Sequence, residues 1–135
     1  LMALAATGPL ATPAGREVVY LSAETVSAAF AKGQPLVEIE NYKVHASRRE
    51  MAGVVEVHTK DTDIAYVLEG EATLITGGTM VDGKNIAPDE IRGTSIQGGE
   101  THHLVKGDVV VIPEGVPHWF KEVTNPFTYF VVKAR

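Results

Sequence analysis

The chain has 135 residues, 44% hydrophobic and 21% charged, which suits a single globular domain with a real core. A formal net charge of −5, with no basic cluster, excludes nucleic acid and anionic membranes as expected partners. The absence of cysteine removes disulfides, thiolate ligands and cysteine nucleophiles together, and leaves the redox compartment open.

Residues 1–15, rich in Pro, Gly and Ala, read as a flexible or loosely docked N-terminal arm, ahead of a single domain over 16–135. Leu1-Met-Ala-Leu-Ala-Ala6 matches the tail of a signal-peptide apolar region, with Ala3-Leu4-Ala5 as an A-x-A cleavage site. On that reading the protein is exported to the periplasm; read as a plain leader, the same stretch leaves it cytoplasmic. No other stretch approaches the ~20 apolar residues of a membrane helix.

Glu17 to Leu21 is expected as a first strand. Ser22 is a helix N-cap, Glu24 suits the positive end, and Gly33 suits the stop, so Ala23 to Lys32 is predicted as a helix. Val26, Ala29 and Phe30 form its packing face. From Leu36 the period changes to two, which predicts a long strand through Ser47, or two strands with a bend. Val54 to Lys60, Ile64 to Leu68 and Glu71 to Thr76 follow as strands, with Gly77-Gly78 as a turn. Residues 79–100 form a long linker with strand-like pieces at Thr79 to Val81 and Thr94 to Ile96, expected to act as a lid or an oligomer contact. Thr101 to Val105, Val109 to Ile112, His118 to Val123 and Phe127 to Lys133 complete the strands. Many short strands separated by turn signals predict an all-β sandwich or barrel.

One stretch carries more information than the rest: Gly107-Asp-Val-Val-Val-Ile-Pro113-Glu-Gly115-Val-Pro117-His118. It reads as a turn, a buried apolar strand, and a bend stiffened by Pro113 and Pro117, from which His118 opens a new strand. Gly107, Pro113, Gly115 and His118 fall in register on the second motif of the cupins, G-x5-P-x-G-x2-H-x3-N, with Glu122 in place of the final Asn. The cupin first motif, G-x5-H-x-H-x3-4-E-x6-G, is matched less fully by Gly53, His58, Asp63 and Gly70. In that alignment Lys60 stands at the second histidine and Asp63 replaces the glutamate. The chain resembles a small single-domain cupin over roughly Val54 to Val132. The resemblance implies a double-stranded β-helix, the cupin jelly-roll barrel, with one short N-terminal helix.

Side chains alternate along a strand, so His58 and Lys60 share a face, as do Asp63, Ala65 and Val67, and as do His118, Phe120 and Glu122. The resemblance implies that His58, Asp63 and His118 converge inside the barrel. Two imidazoles and a carboxylate suit a divalent metal: Fe, Zn, Mn, Ni or Cu. Lys60 opposes this, because a cation ~4 Å from a dication is repelled by roughly 4 kcal/mol per unit charge pair at a dielectric near 20. It either bends to solvent, acts as a neutral base, or pairs with Asp63 in place of the metal. Lys60 and Glu122 are the catalytic candidates, Glu122 alternatively as an acceptor behind an imidazole. Phe120 and His103 are expected to line the pocket. His45, near Arg48 and Arg49, is a weaker candidate for an anionic ligand, and Glu90 and Arg92 matter only if the linker folds over the mouth. Trp119 is expected in the core or at an interface.

The leading expectation is a cupin barrel holding a divalent metal and a small organic ligand, with dioxygenase-type or isomerase-type chemistry if it is an enzyme. The alternative is a metal-free binding protein with a Lys60–Asp63 ion pair and no catalysis. The resemblance also implies a homodimer.

Overall fold

Ser22 starts a helix: its hydroxyl accepts a hydrogen bond from the Thr25 N–H at 3.2 Å. Gly33, left-handed at φ 73°, ends it by donating its N–H to the Ala29 carbonyl. This helix, α1 (Ala23–Lys32), has the bounds the sequence predicted. The computed structural model describes residues 8–135, so the signal-peptide reading of residues 1–6 lies outside the described residues. Within the arm, the Leu10 and Ala11 N–H groups donate to the Pro35 and Leu36 carbonyls, which docks this segment beside the first strand. The strand expected over Glu17 to Leu21 does not form. Val18 and Tyr20 are 95% and 84% exposed, and among the described residues no neighbouring strand pairs with them.

The period-two run after Leu36 is two strands, β1 (Gln34–Glu38) and β2 (Tyr42–Arg49), paired antiparallel. They are followed by β3 (Val55–His58), β4 (Thr62–Glu69), β5 (Ala72–Thr76), β6 (Thr79–Val81), β7 (Lys84–Ala87), β8 (Glu90–Gly93) and β9 (Ser95–Gln97). The chain closes with β10 (Glu100–Leu104), β11 (Val109–Ile112), β12 (His118–Val123) and β13 (Phe127–Ala134). A five-stranded sheet runs β1-β2-β13-β4-β11 and a six-stranded sheet runs β10-β5-β12-β3-β8-β7; β6 and β9 form a separate pair. From β2 to β5, and again from β10 to β13, the chain alternates between the two large sheets. That winding makes the fold a double-stranded β-helix, all-β with one short helix. The linker over 79–100 is more regular than expected, because β7 and β8 extend the six-stranded sheet beside β3.

The inner faces of the two sheets bury Val67, Leu74, Phe120, Phe127 and Tyr129 among others. Phe120, Phe127 and Tyr129 pack with ring centroids 5.3–5.7 Å apart. Outside the barrel, Ala29 of α1 packs with Leu36, Val37 and Ala46, so the helix covers the β1–β2 half of the five-stranded sheet. The other half, with Ile64 and Tyr66 of β4 beside Val111 and Val109 of β11, is exposed. The aromatic cluster fills the interior at one level and leaves a cavity of about 200 Å³ above it, in which Phe120 and Tyr129 are the floor.

Candidate metal centre

Strand register assembles the cavity wall. His118 on β12 stands directly opposite Glu56 on β3, and His58, two residues along β3, shares the face of Glu56. Asp63 on β4 stands opposite Lys133 on β13. His58 also faces Glu90 across the β3–β8 pairing, so the linker hairpin supplies one edge of the site. The bend over Pro113, Gly115 and Pro117 is tied down at both ends. Gly115 donates its N–H to the His58 carbonyl at 2.8 Å, and the Pro117 carbonyl accepts from the Gly77 N–H at 2.9 Å. The second motif therefore anchors the end of β3 as well as presenting His118.

One donor atom from each of Glu56, His58 and His118 lies within 4.8 Å of the others, a group that could hold a metal ion. The rings of His58 and His118 are 5.0 Å apart. Asp63 adjoins the group, its Oδ2 3.6 Å from His58 Nε2 and 3.9 Å from His118 Nε2. Its carboxylate is already held, since the Lys133 ammonium donates to Oδ1 at 3.0 Å and Oδ2 at 2.9 Å. Lys133 Nζ also stands 3.4 Å from His58 Nε2. His118 is buried, and its Nδ1 lies 3.1 Å from the Val116 carbonyl. A carbonyl only accepts, so that contact puts the ring proton on Nδ1 and leaves the Nε2 lone pair toward the cavity. Burial pushes the His118 pKa below its ordinary 6.5; the Val116 carbonyl opposes this and neighbouring His58 adds to it. A neutral imidazole is the form that binds a metal.

The sequence-predicted residues divide. His58, Asp63, His118 and Phe120 all line the cavity. Lys60 does not. β3 ends at His58, alternation stops there, and the Lys60 side chain is 62% exposed with Nζ 3.6 Å from Asp89 Oδ1. The expected Lys60–Asp63 pair is therefore corrected: the cation on Asp63 is Lys133. Glu122 also lies outside the cavity. A register shift between Phe120 and Glu122 in the pairing with β5 breaks the alternation that would have turned it inward. His103 is exposed, its Nε2 3.8 Å from Glu71 Oε2, on the surface depression that Glu122 also lines. Trp119 donates its indole N–H to the Gly53 carbonyl at 3.1 Å, pinning the chain ahead of β3.

Glu56 and Lys133 were not anticipated as site residues, though the sequence carried a signal for each. Read with Glu56 instead of His58 at the first ligand position, the chain runs Glu56-x-His58-x4-Asp63-x6-Gly70, and every spacing of the first motif after its opening glycine is met. Lys133 follows Tyr129 and Val131 at two-residue intervals along β13, on the inward face.

The donor set fits a divalent metal. Two imidazoles and one carboxylate match iron and zinc sites alike, with Asp63 as a further oxygen donor beside them. Lys133 is the cation that a bound metal would have to displace or tolerate.

The Cupin family model matches residues 21–134. No curated protein sequence matches the chain. Among solved structures, a protein from Bacillus halodurans is similar at 15% identity and a TM-score of 0.61, over 88% of this chain and 81% of that one. An rmlc-like cupin family protein with a double-stranded β-helix fold from Methanocaldococcus jannaschii is similar at 17% identity and a TM-score of 0.52, over 76% and 77%. A protein from Neisseria meningitidis is similar at 11% identity and a TM-score of 0.54, over 82% and 96%. At these identities the structural likeness bears on the fold alone. The family match spans the helix and every strand of both sheets, and the chain belongs to the cupin family.

Proposed function

We propose that this cupin binds a divalent metal through Glu56, His58 and His118 and handles a small organic ligand in the cavity beside it. The observation that carries the reading is the convergence of those three donor groups within 4.8 Å in the wall of the barrel cavity. Bound there, the ion would supply Lewis acidity or a site for dioxygen, the chemistries of isomerase-type and dioxygenase-type cupins. The protein's own groups prepare the site. The Val116 carbonyl fixes the His118 ring, cross-strand pairing sets Glu56 against His118, and the stacked Phe120 and Tyr129 rings form the floor. Purified protein incubated with zinc or manganese and dialysed is expected to retain about one equivalent by mass spectrometry of the metal. Glu56→Gln and His118→Ala are each expected to weaken uptake at least about tenfold. Retention below about a tenth of an equivalent by the natural chain removes the reading.

A second reading, a metal-free ligand-binding pocket, is favoured by one observation. The Lys133 ammonium on Asp63, 3.4 Å from His58 Nε2, is already a cation where the metal's charge would lie. The same dialysis measurement separates the two.

A further inference from the structure

Arg49, at the end of β2, is built into the cavity with unusual care. Its Nε donates to the Tyr129 hydroxyl at 3.2 Å, and its guanidinium carbon lies 4.5 Å over the centre of the Phe120 ring. Its Nη2 stands 3.7 Å from Glu56 Oε2. Gly53 leaves the room for it: a β-carbon at that position would come within 2.6 Å of Nη1. Gly53 is itself fixed, its N–H on the Phe120 carbonyl at 2.9 Å and its carbonyl on the Trp119 indole. The guanidinium is thus held over an aromatic face, with its Nε side tied to Tyr129. Among the described residues its Nη groups have only the long Glu56 contact, a rigid fork of donors with capacity to spare.

The charge balance points the same way. The cationic side chains lining the cavity are Arg49 and Lys133, and the carboxylates are Glu56, Asp63 and Glu90. A bound dication tips that set to one positive charge in excess, which an anion would neutralise. Arg49 also lines, with His45, Ser47 and Tyr129, a neighbouring open depression of about 340 Å³ on the β1–β2 side.

We propose that the ligand of this site is a small organic carboxylate and that Arg49 holds its charged group. The proposal rests on the metal-centre reading for the other end of the ligand, and its test separates the two. Zinc-saturated protein is titrated with lactate and, separately, with its neutral analogue lactamide, and binding is followed by ligand-observed NMR. Lactate is expected to bind at least about tenfold more tightly than lactamide. Arg49→Lys, which keeps the charge and removes the fork, is expected to weaken lactate about tenfold when compared at equal, measured zinc occupancy. Tyr129→Phe keeps the buried ring and Arg49 itself, frees Nε, and is expected to weaken lactate in the same direction by a smaller factor. Equal affinities for lactate and lactamide, or natural lactate affinity in both variants, overturn the proposal. If zinc does not bind, the metal reading fails by itself. The same titrations on metal-free protein then decide the role of Arg49 by the same criteria.

Discussion

Asp63 and Lys133 show how far one part-buried pair bears on this site. They stand opposite each other across β4 and β13, with both carboxylate oxygens within 3.0 Å of the ammonium. Removing one partner of such a pair strands the other charge away from water. Lys133→Met is therefore expected to destabilise metal-free protein by about 3–5 kcal/mol. It should also tighten metal binding, because a repulsive cation is gone and the Asp63 oxygens become available. Thermal unfolding with chelator and then with zinc checks both effects; a variant no less stable than the natural chain in chelator, or one that takes up zinc more weakly, contradicts this. At the same scale, His58, Asp63 and His118 were legible in the sequence because alternation and the spacing of the motifs converge on them. Glu56 was not, because a glutamate between two valines reads as the outward face of a strand. Here Val55 and Val57 are buried as well, so both faces of β3 are covered and the usual polarity signal is lost. Lys60 was misplaced because the sequence does not show that β3 stops at His58.

At the scale of elements, turn chemistry and capping were the most legible features. Ser22, Gly33 and the apolar run Val109–Ile112 gave α1 and β11 their observed bounds. What escaped was decided by pairing between distant segments. β7 and β8 are short and polar, and β8 is a strand because β3 offers it an edge. Glu17 to Leu21 has strand-forming residues and finds no such edge among the described residues. The bulge after Phe120 has no local signature, yet it turns Glu122 out of the site. Gly70 is a position where the backbone itself imposes the residue. Its φ is 83°, and a β-carbon there would fall onto the Thr124 hydroxyl and the Pro126 carbonyl. Gly70→Ala is expected to cost at least about 1–3 kcal/mol in urea unfolding, although the substitution only adds a methyl group. A midpoint unchanged from the natural chain would show that the β4–β5 turn relaxes freely.

For the whole molecule, the balance of protons between folded and unfolded chains sets a pH dependence. Burial holds both His118 and His45 below their ordinary pKa of 6.5, against the opposing Val116 carbonyl at the first and Glu38 at the second. Below pH 6.5 the unfolded chain takes up protons that the folded chain refuses, so stability falls as the pH drops toward the folded values. Asp61 adds a later loss. Burial pushes its pKa up, but the hydrogen bond from Arg135 and the charges around it outweigh that and hold it below 3.8, so its contribution disappears as the pH falls through the folded value. Chelator-treated protein is expected to show a urea midpoint that declines between about pH 7 and pH 5 and declines again under stronger acid. A midpoint that is flat or rises toward pH 5 contradicts this assignment.

Diffraction at the manganese absorption edge from crystals grown with manganese tests the metal centre most directly. The expected result is a single anomalous peak within bonding reach of the Glu56 carboxylate and the Nε2 atoms of His58 and His118, with Lys133 drawn back from His58. No peak there, with the Lys133 ammonium still seated between Asp63 and His58, would contradict it.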